Sequence, residues 1–454
     1  MATSPTAPHA PLPRVLSVDA LRGLTILVMI FVNDVAGVAN TPGWMEHFHV
    51  VRSDGSLDWY ANGMTFVDVV FPAFLFIVGV SIPFAIGRRL DRGEPARRVG
   101  MHVLTRTLGL LIAGVFMVND APDWQAMGWP QHLWKTLMYT GIILTWVDPP
   151  RERGPGRMIA ILTRLIGAGL LAFLALSYRD RAGVAADAGW WRQHVQMHTS
   201  WWGILGLIGW AYLVACAAYT ALRRNMAGMV GVVALLNCLC FADRAGVFAS
   251  GGLLAWLGGL DQWLDIGSVL GSHGGITCAG VVLGMMLMPG SPVQTHAARV
   301  RWGLLFGLGL FTAGVLLYQL HGLHAMFTIN KNAATPPWCL ICSALTVWGW
   351  VVLYWLMDVR RQAWIGHGFL TPSGQAPLMA YVLHPLLTYL FAMAGPHLPL
   401  PDPAAAPADW YTWLGLDSGR SFWLSAGLYR SVAMALFVCW FAGWLARRGL
   451  RLRL

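Results

Sequence analysis

The stretch Asn62-Gly-Met-Thr-Phe-Val-Asp-Val-Val-Phe-Pro-Ala-Phe-Leu-Phe-Ile-Val-Gly-Val-Ser-Ile-Pro-Phe84 sets a polar approach directly against an apolar run, and it carries an acid, Asp68, across the boundary. The apolar part extends from Phe66 to Gly87 and ends at Arg88 and Arg89, the length of a helix that crosses the roughly 30 Å hydrocarbon core of a bilayer. A carboxylate near the centre of such a helix costs roughly 2.5–3.5 kcal/mol, so an acid placed here faces a protein interior or a wet cavity and marks a candidate site. The same acid has a plainer use, capping the free N–H groups at the start of the helix.

The rest of the chain repeats the apolar pattern. Of its 454 residues 56% are hydrophobic and only 11% charged, against about 25% charged in soluble domains, and the mean hydropathy is +0.56. Spans are expected near 20–38, 66–87, 101–118, 134–148, 158–177, 203–222, 227–242, 266–288, 302–320, 335–357, 376–397 and 423–446, of which the fourth and seventh are short for a bilayer. The fold class is therefore an all-α polytopic integral membrane protein, a bundle of about 10–12 transmembrane helices. A transmembrane β-barrel does not fit, because the apolar runs are continuous and do not alternate with period two.

Arginines fill every other loop: Arg88, Arg89, Arg92, Arg97 and Arg98; then Arg151, Arg153 and Arg157; then Arg223 and Arg224; and so on to Arg447–Arg453. By the positive-inside rule both termini are expected in the cytoplasm, with the loops at 39–65, 119–133, 178–200, 243–265, 321–334 and 398–422 on the far side. The net charge of +10 then reflects topology and attraction to anionic membrane lipids, and no basic stripe suggests nucleic acid as a partner. Residues 1–13, rich in Pro and Ala, are expected to be a disordered cytoplasmic tail, with 14–454 as a single transmembrane domain. The seven cysteines sit inside the expected spans as small apolar residues, and Cys339-Leu-Ile-Cys342, despite its redox-like spacing, lacks a redox context. Neither a G-x-x-x-x-G-K-[ST] loop nor an H-E-x-x-H motif occurs, so the sequence supports neither an ATP-driven pump nor a metal enzyme.

The polar residues gather at two levels. On the far side, Asn33, Asp34, His47, His49, Asp54, Asp58 and Asn62 precede Asp68, while a second far-side loop offers His321, His324, Asn330, Lys331 and Asn332. Together they suggest one pocket, in which a histidine is suited to take and return a proton near neutral pH. On the cytoplasmic side Asp19 and Arg22 are three apart on one helix face. With Arg88, Arg89, Arg97, Arg98 and Arg106 they form a cationic mouth suited to a phosphorylated cofactor, or simply mark topology. His384, inside a span, is either functional or a helix-to-helix hydrogen bond.

Ser17-Val-Asp-Ala-Leu-Arg-Gly23, Ile30-Phe-Val-Asn-Asp34, Gly63–Phe76, Trp201–Trp210, Asn330-Lys-Asn332 and Tyr381-Val-Leu-His384, in this order, resemble the heparan-α-glucosaminide N-acetyltransferase-related transmembrane acyltransferases. The closest likeness is to their bacterial NagX-like branch with a DUF5009-type domain. The resemblance implies a multi-pass protein of the bacterial inner membrane, expected as a homodimer. Its expected activity is transfer of an acetyl group from cytosolic acetyl-CoA to a glucosamine-type amino sugar on the periplasmic side. It implies an active-site Asn at Asn33 and His at His47, with His49 second. Asp34 or Asp68 would orient the imidazole or recognise the sugar, and Asn62, Asn330, Lys331 and Asn332 would bind the acceptor. Asp19, Arg22, Arg106 and His384 would hold acetyl-CoA, and no metal is implied. Direct transfer and an acetyl-His intermediate remain open alternatives. The rival reading is an inner-membrane transporter of N-acetylglucosamine, which fits the span count but lacks paired broken helices; a non-catalytic scaffold has no need of so many intramembrane ionisable groups.

Overall fold

A computed structural model describes residues 15–36, 38, 40–148, 155–183, 189–362, 368–394 and 426–452. The expected tail at 1–13, the far-side loop at 398–422, and Arg151 and Arg153 lie outside the described residues.

The long helices in chain order are α1 (Leu16–Val35), α2 (Val67–Asp91), α3 (Ala96–Val118), α4 (Gln131–Trp146), α5 (Pro155–Ser177), α6 (Gly203–Leu222), α7 (Met226–Arg244), α8 (Ile266–Leu287), α9 (His296–Tyr318), α10 (Pro336–Val359), α11 (Pro377–Ala394) and α12 (Ala426–Arg447). All but α4 are long and apolar enough to cross a membrane. The expected fourth span forms as α4, with 16 residues; at 1.5 Å per residue that is about 24 Å, short of the roughly 30 Å core. The seventh, doubtful on length, forms α7 and spans. Each expected span coincides with a helix, since continuous apolar runs in lipid must satisfy their own backbone groups.

α8 is buried over almost its whole length, and α2, α6 and α7 pack around it. The closest crossing is with α2. A side chain at Gly79 would run into the Thr277 carbonyl, and one at Gly280 into that of Phe76, so backbone lies on backbone, the small-residue contact that membrane helices favour. α9 packs on α10, α3 on α6, and α4 on α5 and α11. A second apolar core joins α1, α11 and α12 through Ile26, Ile30, Met379, Leu383, Val438 and Ala442. α5 and α9 are mostly exposed, as peripheral helices facing lipid would be.

Between α1 and α2 a short hairpin, β1 (Val50–Val51) and β2 (Leu57–Asp58), pairs antiparallel. Val35, the last residue of α1, and Val38 beyond it pack on Met45, which fixes the end of α1 beside the turn that precedes His47.

Candidate active site

The start of α2 is built by Thr65 and Asp68. The Thr65 N–H donates to Asp68 Oδ2 at 3.0 Å, and Thr65 Oγ1 accepts from the Val67 N–H at 3.3 Å. The Asp68 contact is the back-bonding half of a capping box, and the Thr65 hydroxyl meets the N–H two residues on. The Thr65 hydroxyl also donates to the Glu46 carbonyl at 2.6 Å, tying the helix start to the turn before His47. Pro72 sits four residues into the helix from Asp68 and has no N–H to offer the Asp68 carbonyl; the Cys342 sulfur of α10 lies 4.0 Å from that oxygen instead.

Asp68 is 2% exposed, and its carboxylate is fully engaged. Oδ2 takes the N–H groups of Thr65 and Phe48, each at 3.0 Å. Oδ1 accepts from His47 Nδ1–H at 2.8 Å and lies 3.8 Å from Lys331 Nζ. With Nδ1 donating, Nε2 of His47 is the basic nitrogen, and the side chain is 43% exposed. A buried acid thus orients an accessible base. Burial lowers the Lys331 pKa below the ordinary lysine value, against the opposing pull of the Asp68 charge. His47, Asp68, Lys331, Phe48, Trp59 and the neighbouring asparagines enclose a cavity of about 10 Å³, roughly the space of one water.

The second polar loop closes onto the first, as expected, but its asparagines face backbone. Asn330 is 3% exposed. Its Nδ2 donates to the carbonyls of Trp59 at 3.1 Å and Ala61 at 2.9 Å, while its Oδ1 accepts from the Ala333 N–H at 2.8 Å. Asn332 Nδ2 donates to the same Trp59 carbonyl at 2.9 Å. Asn62 bridges the Ile329 N–H at 3.0 Å and the Tyr318 hydroxyl at 3.3 Å, and the Gly63 N–H donates to the Ile329 carbonyl at 2.8 Å. A side chain at Gly63 would strike the Phe48 ring. His49 donates through Nδ1 to the His47 carbonyl at 2.9 Å and rests against Trp59, with ring centroids 5.2 Å apart. His321 and His324 bond within their own turn.

Asp34 does not join His47. It accepts from His384 Nε2–H at 3.3 Å and from the Ser431 hydroxyl at 2.7 Å, and pairs with Arg430 Nη2 at 2.9 Å. His384, expected along a cofactor path, is therefore half of a second buried acid–imidazole pair that ties α1, α11 and α12. Asn33, its neighbour in sequence, is exposed at the end of α1.

At the opposite end of the bundle Arg22 donates to Asp19 at 3.2 Å, to the Gly374 carbonyl at 3.0 Å and to the Ser81 hydroxyl at 2.6 Å. Both Asp19 and Arg22 line a cavity of about 200 Å³ that Arg88 also borders. A larger one of about 350 Å³ lies beside Asp91, Tyr219, Arg223 and Arg224. Arg106 stands apart with its guanidinium over the Tyr212 ring, 5.0 Å from the centroid. The two cavities and their arginines give this end side chains able to bind an anionic group.

Sequence reasoning missed Arg430, Trp59 and His273. Arg430 carried a signal, a cation inside an apolar span. So did His273, which is 5% exposed in α8, with Nδ1 unpartnered among the described residues and its ring 5.5 Å from that of Phe71. Trp59 had none, being one of 24 tryptophans.

Residues 14–149 match the family model described as a domain of unknown function, DUF5009. A stretch of 107 residues, 24% of the chain, is 33% identical to heparan-alpha-glucosaminide N-acetyltransferase of Homo sapiens. Over 106 residues, 23% of the chain, it is 33% identical to the Mus musculus protein of the same name. The matched stretch covers 14% of the length of each relative.

Proposed function

From this kinship to DUF5009 and to proteins named as N-acetyltransferases, joined to the His47–Asp68 pair, we propose that the protein is a multi-pass membrane acetyltransferase. In this reading acetyl-CoA binds at the arginine-rich end, on the cytoplasmic side, and the acetyl group passes to the amino group of a glucosamine-type sugar at the His47 end, on the periplasmic side of a bacterial inner membrane. The observation that carries it is His47: Nδ1 is fixed by a buried carboxylate at 2.8 Å, which leaves Nε2 as a base on an accessible edge.

The chemistry runs as follows. The sugar amine attacks the thioester carbonyl, a C–N bond forms, and the C–S bond breaks to release the CoA thiolate. His47 Nε2 takes the proton from the attacking nitrogen and returns it to the sulfur, giving the amide and free CoA. Asp68 holds the imidazole and stabilises its protonated form without taking the proton itself. Lys331, close to the same carboxylate, adds positive charge that favours the unprotonated, nucleophilic form of an incoming amine. Asn330 has both amide hydrogens engaged by backbone; Asn332, which borders the cavity and spends one amide hydrogen on the Trp59 carbonyl, or else Asn33 donates to the developing oxyanion, a contact worth about 2.7–4 kcal/mol.

The test is transfer of radiolabel from acetyl-CoA to glucosamine by purified protein. His47→Ala is expected to lower turnover by about 10²–10⁴, with acetyl-CoA binding retained. Undiminished turnover in that variant would remove His47 from the mechanism. Uptake of the sugar into vesicles that contain no acetyl-CoA would point to a transporter instead.

A further inference from the structure

Building on the amino-sugar reading above, we propose that Trp59 is the platform on which the acceptor's pyranose ring lies, and so a residue that selects sugar amines over other amines. The cavity beside His47 holds about 10 Å³, so a sugar has to lie across its mouth, against whatever borders it. Trp59 borders it together with His47, Asp68 and Lys331. The other exposed aromatics of the same loop do not: Trp44 packs on Phe66 at 5.6 Å between centroids, and Tyr60 is 69% exposed, as suits an interfacial belt.

Trp59 itself is 43% exposed, an unfavourable state for a large apolar ring, yet it is held in place. Its carbonyl receives two amide donors, from Asn330 at 3.1 Å and Asn332 at 2.9 Å. Its indole leans on His49, which is bonded in turn to the carbonyl of His47. The platform and the base therefore share one short hydrogen-bonded frame. A ring fixed before the ligand arrives costs little ordering entropy on binding. The C–H face of a pyranose is apolar and slightly positive, and meets the negative face of an indole favourably. An amine without a sugar ring gains little from Trp59, so the residue discriminates without touching the reacting atoms.

Equilibrium binding of tritiated glucosamine, and acetyl transfer to glucosamine and to ethanolamine, are to be measured on the full chain and on Trp59→Ala and Trp59→Phe. Trp59→Ala is expected to weaken glucosamine binding and raise its KM by about tenfold, corresponding to about 1.4 kcal/mol, while the KM for acetyl-CoA and the rate with ethanolamine stay unchanged. Trp59→Phe, which keeps an aromatic face, is expected to retain most of the affinity. Glucosamine binding equal to wild type in Trp59→Ala overturns the proposal, as does a parallel loss for acetyl-CoA and ethanolamine, which marks a structural role. If the wild type binds glucosamine without acetylating it, the transferase reading falls and the binding ratio still decides Trp59. If the wild type binds no glucosamine, the platform is overturned.

Discussion

Asp68 uses its two oxygens for different purposes. One makes the back-bonding half of the capping box at the start of α2 and holds the Phe48 N–H; the other fixes Nδ1 of His47 and faces Lys331. The simple reading of this acid as a cap is realised through the Thr65 N–H, and the same carboxylate makes the contact to His47 on which the proposed site rests. Replacement by asparagine separates them. In Asp68→Asn the amide oxygen still caps the helix, but the amide NH₂ turns a donor toward His47 and favours the tautomer that carries its proton on Nε2. Turnover is expected to fall by about 10² or more, with the unfolding midpoint changing far less than for Asp68→Ala; paired activity and thermal-melting measurements check this. The capping half was legible from the place of Asp68 at the start of the apolar run. For His47 the sequence left Asp34 and Asp68 as alternatives, because the 21-position separation of His47 and Asp68 leaves the approach of the imidazole to the loop's own fold.

At the scale of elements, the hairpin segment before α2 is held less by its two-residue strands than by the loop between α9 and α10. Asn330 joins the carbonyls of Trp59, shared with Asn332, and Ala61, and leaving buried groups unsatisfied costs about 1–3 kcal/mol. Asn330→Ala is expected to raise hydrogen exchange and proteolysis across residues 46–65 while exchange in α8 stays unchanged. It is also expected to reduce turnover, since the frame beneath Trp59 and His47 loosens. Equal protection of residues 46–65 in wild type and variant counts against the staple. That two polar loops meet was readable from their shared side of the membrane; that the asparagines bind main chain and leave the pocket to Lys331 was not. Residue type does not reveal which groups a carboxamide satisfies once the loop is closed.

Across the whole molecule, Asp34, His384, Arg430 and Ser431 join three helices far apart in sequence. Removing one member of a buried ion pair costs about 3–5 kcal/mol, because the other charge is left in a low dielectric. Arg430→Met is therefore expected to lower the unfolding midpoint more than the double replacement Arg430→Met with Asp34→Asn, and a double-mutant cycle read by thermal melting checks it. A double variant that loses the sum of the two single losses would show no coupling between the two charges. The amino-acid sequence by itself determined that the protein is a helical membrane bundle, where its spans run, and which end carries arginine, because burial of apolar runs in lipid and the placement of charge outside it are local properties of the chain. Only the tertiary structure decided the partners: His47 with Asp68, His384 with Asp34, and Asn330 with the backbone of Trp59. Those choices depend on which helix ends are packed side by side, and that is set by contacts such as Gly79 and Gly280 at the crossing of α2 and α8, where the absence of side chains, more than any polar signal, fixes the geometry.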